Sequence, residues 1–440
     1  METLLSIAIA MAAGLFISRF AKIFKLPAVT GYLIAGIIIG PYVLGLCDIE
    51  GLGFVDHEAV ESLKLLSDVA LGFIAFAIGN EFRVSQLKRT GKQATVIGIF
   101  QAVIATLFVD AALIGLHFIL GPDKLPLPVA ITLGAIASAT APAATLMVVR
   151  QYKAEGKLTD LLLPIVALDD AVGLIIFAIS FGIAKSLDNG ESLTVVSILV
   201  NPLLEIICSL LLGAILGFLF SLAEKFFKSN SKRLSLAVTV VILAVALSKL
   251  SFKIGEEIHI GFSSLLVCMM LGTVFCNMCD FSEEIMLKTD KWTAPLLMLF
   301  FVLSGAELEL SVFTDIIIVV IGIIYIIFRS AGKILGSRWS SAWVKCDANI
   351  QKYLGITLLP QAGVALGMAR KVSESNIMGA DIVVNITLFA VLVYEIFGPF
   401  LTKVSLLKAG EIKPEGKTSA RHEHAKKLAA MKVENASDSE

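Results

Sequence analysis

The stretch LLLPIVALDDAVGLIIFAISFGIA, residues 161–184, carries no charge except Asp169 and Asp170, side by side near its centre. A run of this length and composition reads as a membrane-spanning helix. An unpaired charge in the middle of such a helix costs about 2.5–3.5 kcal/mol on insertion scales. Each carboxylate must therefore be protonated, paired or turned toward water. Neighbouring residues on a helix point about 100° apart, so the two acids cannot easily share one small ion and call for separate partners.

The rest of the chain extends this reading. Of 440 residues, 57% are hydrophobic and 17% charged, well above the roughly 45–50% apolar content of soluble domains. The expected fold is an all-α polytopic membrane protein, with lipid as its main partner. A net charge of −1 gives no signature of nucleic-acid binding. The first apolar stretch runs into Arg19, Lys22 and Lys25 without a small-residue cleavage site, so it reads as a span and not as a cleaved signal. Cys276 and Cys279 form a CxxC with no second pair or nearby histidine. With Cys47, Cys208, Cys268 and Cys346 they read as small buried hydrophobes, not as a zinc or disulfide framework, and no cofactor is implied.

Apolar runs predict about thirteen helices, near 2–21, 28–46, 59–80, 93–120, 126–149, 158–184, 195–222, 234–251, 258–279, 292–309, 311–337, 353–370 and 377–402. Most loop Lys and Arg follow odd-numbered spans, as in Arg83, Lys88, Arg89 and Lys92 after the third and Lys225, Lys228, Lys232 and Arg233 after the seventh. The positive-inside rule then puts the N-terminus outside and the C-terminus in the cytoplasm. Residues 1–405 form the expected transmembrane domain, and 406–440 a short polar tail of disordered character.

The chain also repeats itself. AFAIGNEF (75–82) recurs as FVLSGAEL (301–308), matching Gly79 with Gly305 and Glu81 with Glu307. GAIASATAPAATLMVVR (134–150) recurs more weakly as GITLLPQAGVALGMARK (355–371), with Pro142 against Pro360. Each match pairs spans seven apart, and an odd separation reverses membrane direction. That is the inverted repeat of secondary transporters, whose sites lie near midplane where helices break. Pro142 and Pro360 mark the breaks, because proline removes a backbone donor and clashes with the carbonyl four residues back. Freed carbonyls in lipid need side chains, water or an ion. If the two discontinuous helices cross, Ser138, Thr140 and Gln361 are the local hydrogen-bonding groups. For the aspartates the obvious counter-charge is Lys333, one turn after Arg329 in FRSAGKILG (328–336). One aspartate is assigned to the ion and the other to Lys333.

Together KLPAVTGYLIAGIIIGP (25–41), FAIGNEF, SATAPAATLMVVR, ALDDAVG, FFVLSGAEL, FRSAGKILG and LLPQAGVALG resemble the monovalent cation/proton antiporters. The match is to the cation:proton antiporter-2 branch and to bacterial sodium/proton antiporters of the NapA type, in order, over nearly all of the chain to about residue 405. The resemblance implies a homodimer in the cell membrane. Predicted helices 4–6 and 11–13 make a moving core, and helices 1–3 and 8–10 a dimerisation part joined by helix 7. It also implies that Asp170 binds Na⁺ or a proton, and that Asp169 pairs with Lys333. Both acids together with a lysine resemble the electrogenic pattern of two protons against one Na⁺. The short tail departs from potassium-efflux members that carry a large nucleotide-binding domain.

At one carboxylate a cation excludes the proton and a proton excludes the cation, so if the core changes sides only when the site is neutralised, exchange is obligatory. The expected function is secondary transport, not enzymatic catalysis, exchanging Na⁺ and also Li⁺ for protons. K⁺/H⁺ exchange and a sodium-coupled organic-anion symporter are the alternatives. An intramembrane aspartyl protease needs acids that face each other, and a channel needs a continuous pore. Arg329 is expected to hold the core through carbonyls or an acid. His57, His117 and His259 fall at predicted outer helix ends, while Glu81, Glu307 and Glu395 read as helix-end or interdomain contacts.

Overall fold

The computed structural model describes residues 2–24, 26–47, 53–80, 82–189, 201–227, 229–254, 258–308, 315–373 and 377–412. In chain order the elements are α1 (Glu2–Ile23), α2 (Ala28–Ile39), α3 (His57–Glu61), α4 (Lys64–Asn80), α5 (Val84–Leu120), α6 (Leu127–Ile136), α7 (Pro142–Tyr152) and α8 (Lys157–Asn189). There follow α9 (Asn201–Glu224), α10 (Asn230–Ser248), β1 (Phe252–Ile254), β2 (Ile258–Ile260), α11 (Ser264–Met278), α12 (Ser282–Ala306), α13 (Ile316–Trp343), α14 (Ala348–Thr357), α15 (Gly363–Ser373) and α16 (Ala380–Lys408). Seven of the described helices, α1, α5, α8, α9, α10, α13 and α16, are long and apolar enough to cross a bilayer; α2, α6 and α11 are shorter apolar helices. The chain is a helical multi-pass membrane protein.

The remaining expected spans fall on shorter or interrupted elements. Residues 59–80 divide between α3 and α4, 126–149 between α6 and α7, and 353–370 between α14 and α15. The start of 258–279 is a strand: β1 and β2 pair antiparallel, Phe252 opposite Ile260 and Ile254 opposite Ile258. This small ribbon departs from an all-α expectation. The alternation of aromatic and β-branched residues with a polar one favours a pleated surface, and three-residue strands vanish in a 20-residue hydropathy window. α12 starts ten residues before the span expected at 292, because its first turns carry Glu283, Glu284, Lys288 and Asp290.

Helix ends follow local chemistry. α7 begins at Pro142, where a missing N–H costs nothing, and the preceding Ala141 is extended at φ −84°, ψ 109°, as a residue before proline prefers. At the other end of the chain, α16 runs to Lys408 and the packed chain reaches residue 412, beyond the expected tail start at 406. The cause is a cap: the Glu411 carboxylate accepts from Leu158 N at 2.7 Å, Thr159 N at 2.9 Å and Thr159 Oγ1 at 2.6 Å. It satisfies orphan donors at the start of α8, where negative charge also suits the helix dipole.

Two groups of helices pack mainly within themselves. In one, α5 lies against α13, α8 and α6, and α16 against α13, α14, α15 and α7; in the other, α2 lies against α1 and α12, and α4 against α11, α12 and α10. The second group is held by close backbone approaches. A methyl group on Gly36 would collide with the Val302 carbonyl and one on Gly305 with the Leu33 carbonyl, so α2 and α12 touch through reciprocal glycines. Gly79 and Gly272 do the same between α4 and α11. Small residues at such crossings are how helices gain contact in lipid, where no hydrophobic force drives them together.

Candidate functional site

The chain leaves helix between α6 and α7, and again between α14 and α15, and these two non-helical segments meet. Ala141 N donates to Pro360 O across them at 2.8 Å. Gln361 Nε2 donates to Ile136 O and to Tyr325 Oη, both at 3.0 Å. Arg329, fully buried on α13, spans both: Nε donates to Ala137 O at 3.0 Å, Nη2 to Ala139 O at 2.6 Å and Nη1 to Leu359 O at 2.8 Å. Its planar fork thus satisfies three carbonyls of these connecting segments and their helix ends. Below the fork lies the Tyr394 ring, 4.4 Å from the guanidinium carbon.

One turn along α13, Lys333 is also fully buried, and its Nζ lies 3.0 Å from Asp169 Oδ2 on α8, itself at zero exposure. The same ammonium donates to Ser138 O at 2.6 Å and to Thr140 Oγ1 at 2.8 Å. The Thr140 hydroxyl in turn donates a hydrogen bond to Asp169 Oδ2, and Gln101 Nε2 of α5 donates to Oδ1. All three ammonium donors are used and both carboxylate oxygens are engaged, which a buried ion pair needs to offset its desolvation.

The candidate residues therefore take different places. Asp169, Thr140 and Lys333 share one network, with Arg329 and Gln361 bracing the breaks beside it. Ser138 contributes its carbonyl to Lys333, while its hydroxyl donates to Ala135 O at 2.7 Å. Asp170 follows Asp169 within α8; its side chain lies outside the described residues, as do Glu81 and the side chains of His57 and His259. His117 Nδ1 is 2.7 Å from Leu125 O at the end of α5. Glu307 ends α12 as its C-cap, and Glu395 is buried within α16.

Gln101 was absent from the sequence candidates. The signal was present, since a glutamine in the apolar run IGIFQAVIAT (97–106) must find buried partners in lipid. The ties between the two helix groups were equally unforeseen. Arg150 of α7 pairs with Asp290 of α12, and Gln151 Oε1 accepts from Ala28 N at 2.9 Å, at the start of α2. Neither partner is near in sequence, and neither position breaks an apolar pattern.

Known proteins bear on this arrangement. Residues 7–408 match the family described as "Sodium/hydrogen exchanger, transmembrane". The chain belongs to that family. This exchanger is 24% identical over 371 residues to the Na⁺/H⁺ antiporter NhaS4 of Synechocystis sp., covering 79% of this chain and 83% of that one. It is 24% identical over 370 residues to a Na⁺/H⁺ antiporter of Enterococcus hirae, covering 82% and 87%. Its fold is similar to that of the sodium proton antiporter MjNhaP1 from Methanocaldococcus jannaschii at pH 8, with a TM-score of 0.64 over 93% of this chain and 97% of that one, at 19% identity.

Proposed function

We propose that this exchanger moves a monovalent cation, Na⁺ or Li⁺, against two protons per cycle, by alternating access and with net movement of charge. The single observation that supports this best is the fully buried Lys333–Asp169 pair at the meeting of the two breaks. One acid of the ALDDAVG pair is already committed to a lysine. Asp170, about 100° around α8, is then the carboxylate assigned to Na⁺ or a proton. Ser138, Thr140 and Gln361, at the two breaks, are the hydrogen-bonding groups assigned to that site.

The geometry supports a division of labour. Arg329 holds the breaks through its planar fork of donors. Lys333 and Asp169 can exchange a proton with the medium when cation entry loosens their pair, which adds the second proton to that displaced from Asp170. The group built on α5, α6, α7, α8, α13, α14, α15 and α16 is the proposed moving core, and the group built on α1, α2, α3, α4, α10, α11 and α12 the dimer scaffold. In this reading the interrupted elements are the crossing discontinuous helices of an inverted repeat, about thirteen spans cross the membrane, and the C-terminus is cytoplasmic.

Exchange in sealed proteoliposomes with Na⁺, Li⁺ and K⁺ at several pH values, with and without an imposed potential, tests the reading. Cation-driven proton movement that responds to voltage is expected. Exchange unaffected by potential would reduce the stoichiometry to one for one, and a requirement for an organic anion would replace antiport by symport.

A further inference from the structure

α5 carries an acid that the Asp169 network does not use. Asp110 is the single formal charge between Lys92 and Asp123, inside an apolar helix long enough to cross a bilayer. It stands nine residues from Gln101, hence about 13 Å nearer the His117 end of α5 and half a turn around it. Its carboxylate is seated on α6. A methyl group on Gly134 would fall on Asp110 Oδ1 and lie 3.2 Å from Oδ2, so the acid fills the notch left by a residue without a side chain. Oδ1 is buried and has no hydrogen-bond partner among the described residues. The adjoining Val109 and Leu113 pack with Val129 and Leu133 of α6 in one apolar cluster, all four at zero exposure.

The titratable groups on the helices packed against α5 are engaged elsewhere or lie at helix ends. α6 carries none. On α13, Tyr325 bonds Gln361, Arg329 holds three carbonyls, Lys333 pairs with Asp169, and Arg338 is exposed near the other end. On α8, Asp169 is bonded by Lys333 and Gln101, Lys185 lies over the Phe181 ring, and Asp188 accepts from Met378 N. Lys157, paired with Asp347, and Asp160 belong to the first turn of α8, and the Asp170 side chain lies outside the described residues. On α5 itself His117 bonds Leu125 O, and beyond its end Asp123 and Lys124 are exposed.

A carboxyl in a membrane-spanning seam without a counter-charge either carries a proton or meets water. We propose that Asp110 is a proton-binding site, a carboxyl that keeps its proton while seated on Gly134 and yields it to water when the seam between α5 and α6 opens. The seat ties this proton to the first break. α6 ends two residues after Gly134, and the carbonyls of Ile136 and Ala137 there are held by Gln361 and Arg329. The inference rests on the exchange reading, for which it supplies a proton path on the His117 side of the break, but not on the Asp170 assignment.

The test treats the full-length protein in liposomes with N,N′-dicyclohexylcarbodiimide, which modifies protonated carboxyls in apolar surroundings. The adduct is read by mass spectrometry on the tryptic peptide 93–124, whose two acids are Asp110 and the exposed Asp123; fragment ions separate them. An adduct on Asp110 is expected at neutral pH, fading in alkali, absent in Asp110→Asn and reduced in Gly134→Ala, whose methyl displaces the carboxyl from its seat. Asparagine keeps the shape of a protonated aspartate, so a role in packing alone would leave exchange unchanged in Asp110→Asn. The proton site instead predicts severalfold slower Na⁺-driven proton movement at unchanged apparent affinity for Na⁺, with part of the rate recovered in Asp110→Glu. A wild type without an adduct on Asp110 at any pH, or an Asp110→Asn variant that exchanges at the wild-type rate, overturns the inference. A wild type that forms the pH-dependent adduct but moves no protons on Na⁺ addition overturns the exchange reading, and with it the path but not the bound proton.

Discussion

Lys333 and Asp169 meet through the first break and not merely beside it: Thr140 Oγ1, in the non-helical segment, accepts from the lysine at 2.8 Å and donates to the same Asp169 oxygen that the lysine faces. The ion pair therefore depends on the backbone of residues 138–140. Any movement of that segment changes the partners of both charges.

Asp170→Asn is expected to abolish cation-driven proton release in proteoliposomes while the protein remains folded and monodisperse in detergent. A mutant that still exchanges at the wild-type rate would move the cation to another group.

Lys333→Ala leaves Asp169 buried and unpaired, with an expected destabilisation of about 3–5 kcal/mol. Adding Asp169→Asn to the same chain removes the stranded charge and should recover most of the loss. Thermal melts of the single and double variants in one detergent check this directly.

Asp169→Asn alone should lower exchange less than Asp170→Asn and make the remaining activity less sensitive to an imposed potential. The comparison is made by stepping the potential across vesicles of equal protein content. Retention of full voltage sensitivity would assign the second proton elsewhere.

Arg329→Lys keeps the charge but loses the fork. An ammonium cannot reach Ala137, Ala139 and Leu359 carbonyls together, and each buried acceptor left alone costs about 1–3 kcal/mol. The variant should melt lower and transport poorly even at saturating Na⁺.

Arg150→Ala and Asp290→Ala should shift the apparent cation affinity in the same direction by severalfold, because each removes the same tie between α7 and α12. The swap Arg150→Asp with Asp290→Arg should restore the wild-type value. Additive effects in the double-alanine variant would show that the two residues act separately.

What could be read from sequence follows from what lipid makes expensive. Asp169, Arg329 and Lys333 stand out because a charge in an apolar run needs a reason, and Pro142 and Pro360 because each interrupts one. Gln101 carries no formal charge and was lost among its apolar neighbours, although it bonds the buried aspartate. Helix ends outside the apolar runs were also hidden: Glu283 and Asp290 are helical in α12, but hydropathy sees only their polarity. The Glu411 cap and the Arg150–Asp290 pair join residues far apart in the chain, and no local pattern announces such contacts. Gly79 and Gly305 were visible as a repeat, whereas their shared role needed coordinates.

That shared role has a mechanical consequence. Where α2 meets α12 and α4 meets α11, main chain lies on main chain, with no layer of side chains between them to change rotamer or slide. Such a frame transmits a push instead of absorbing it, since packed backbone is nearly incompressible. Strain arriving at the frame is passed on to its border with the α5–α13–α16 group, where side chains such as Arg150 and Gln151 can let go.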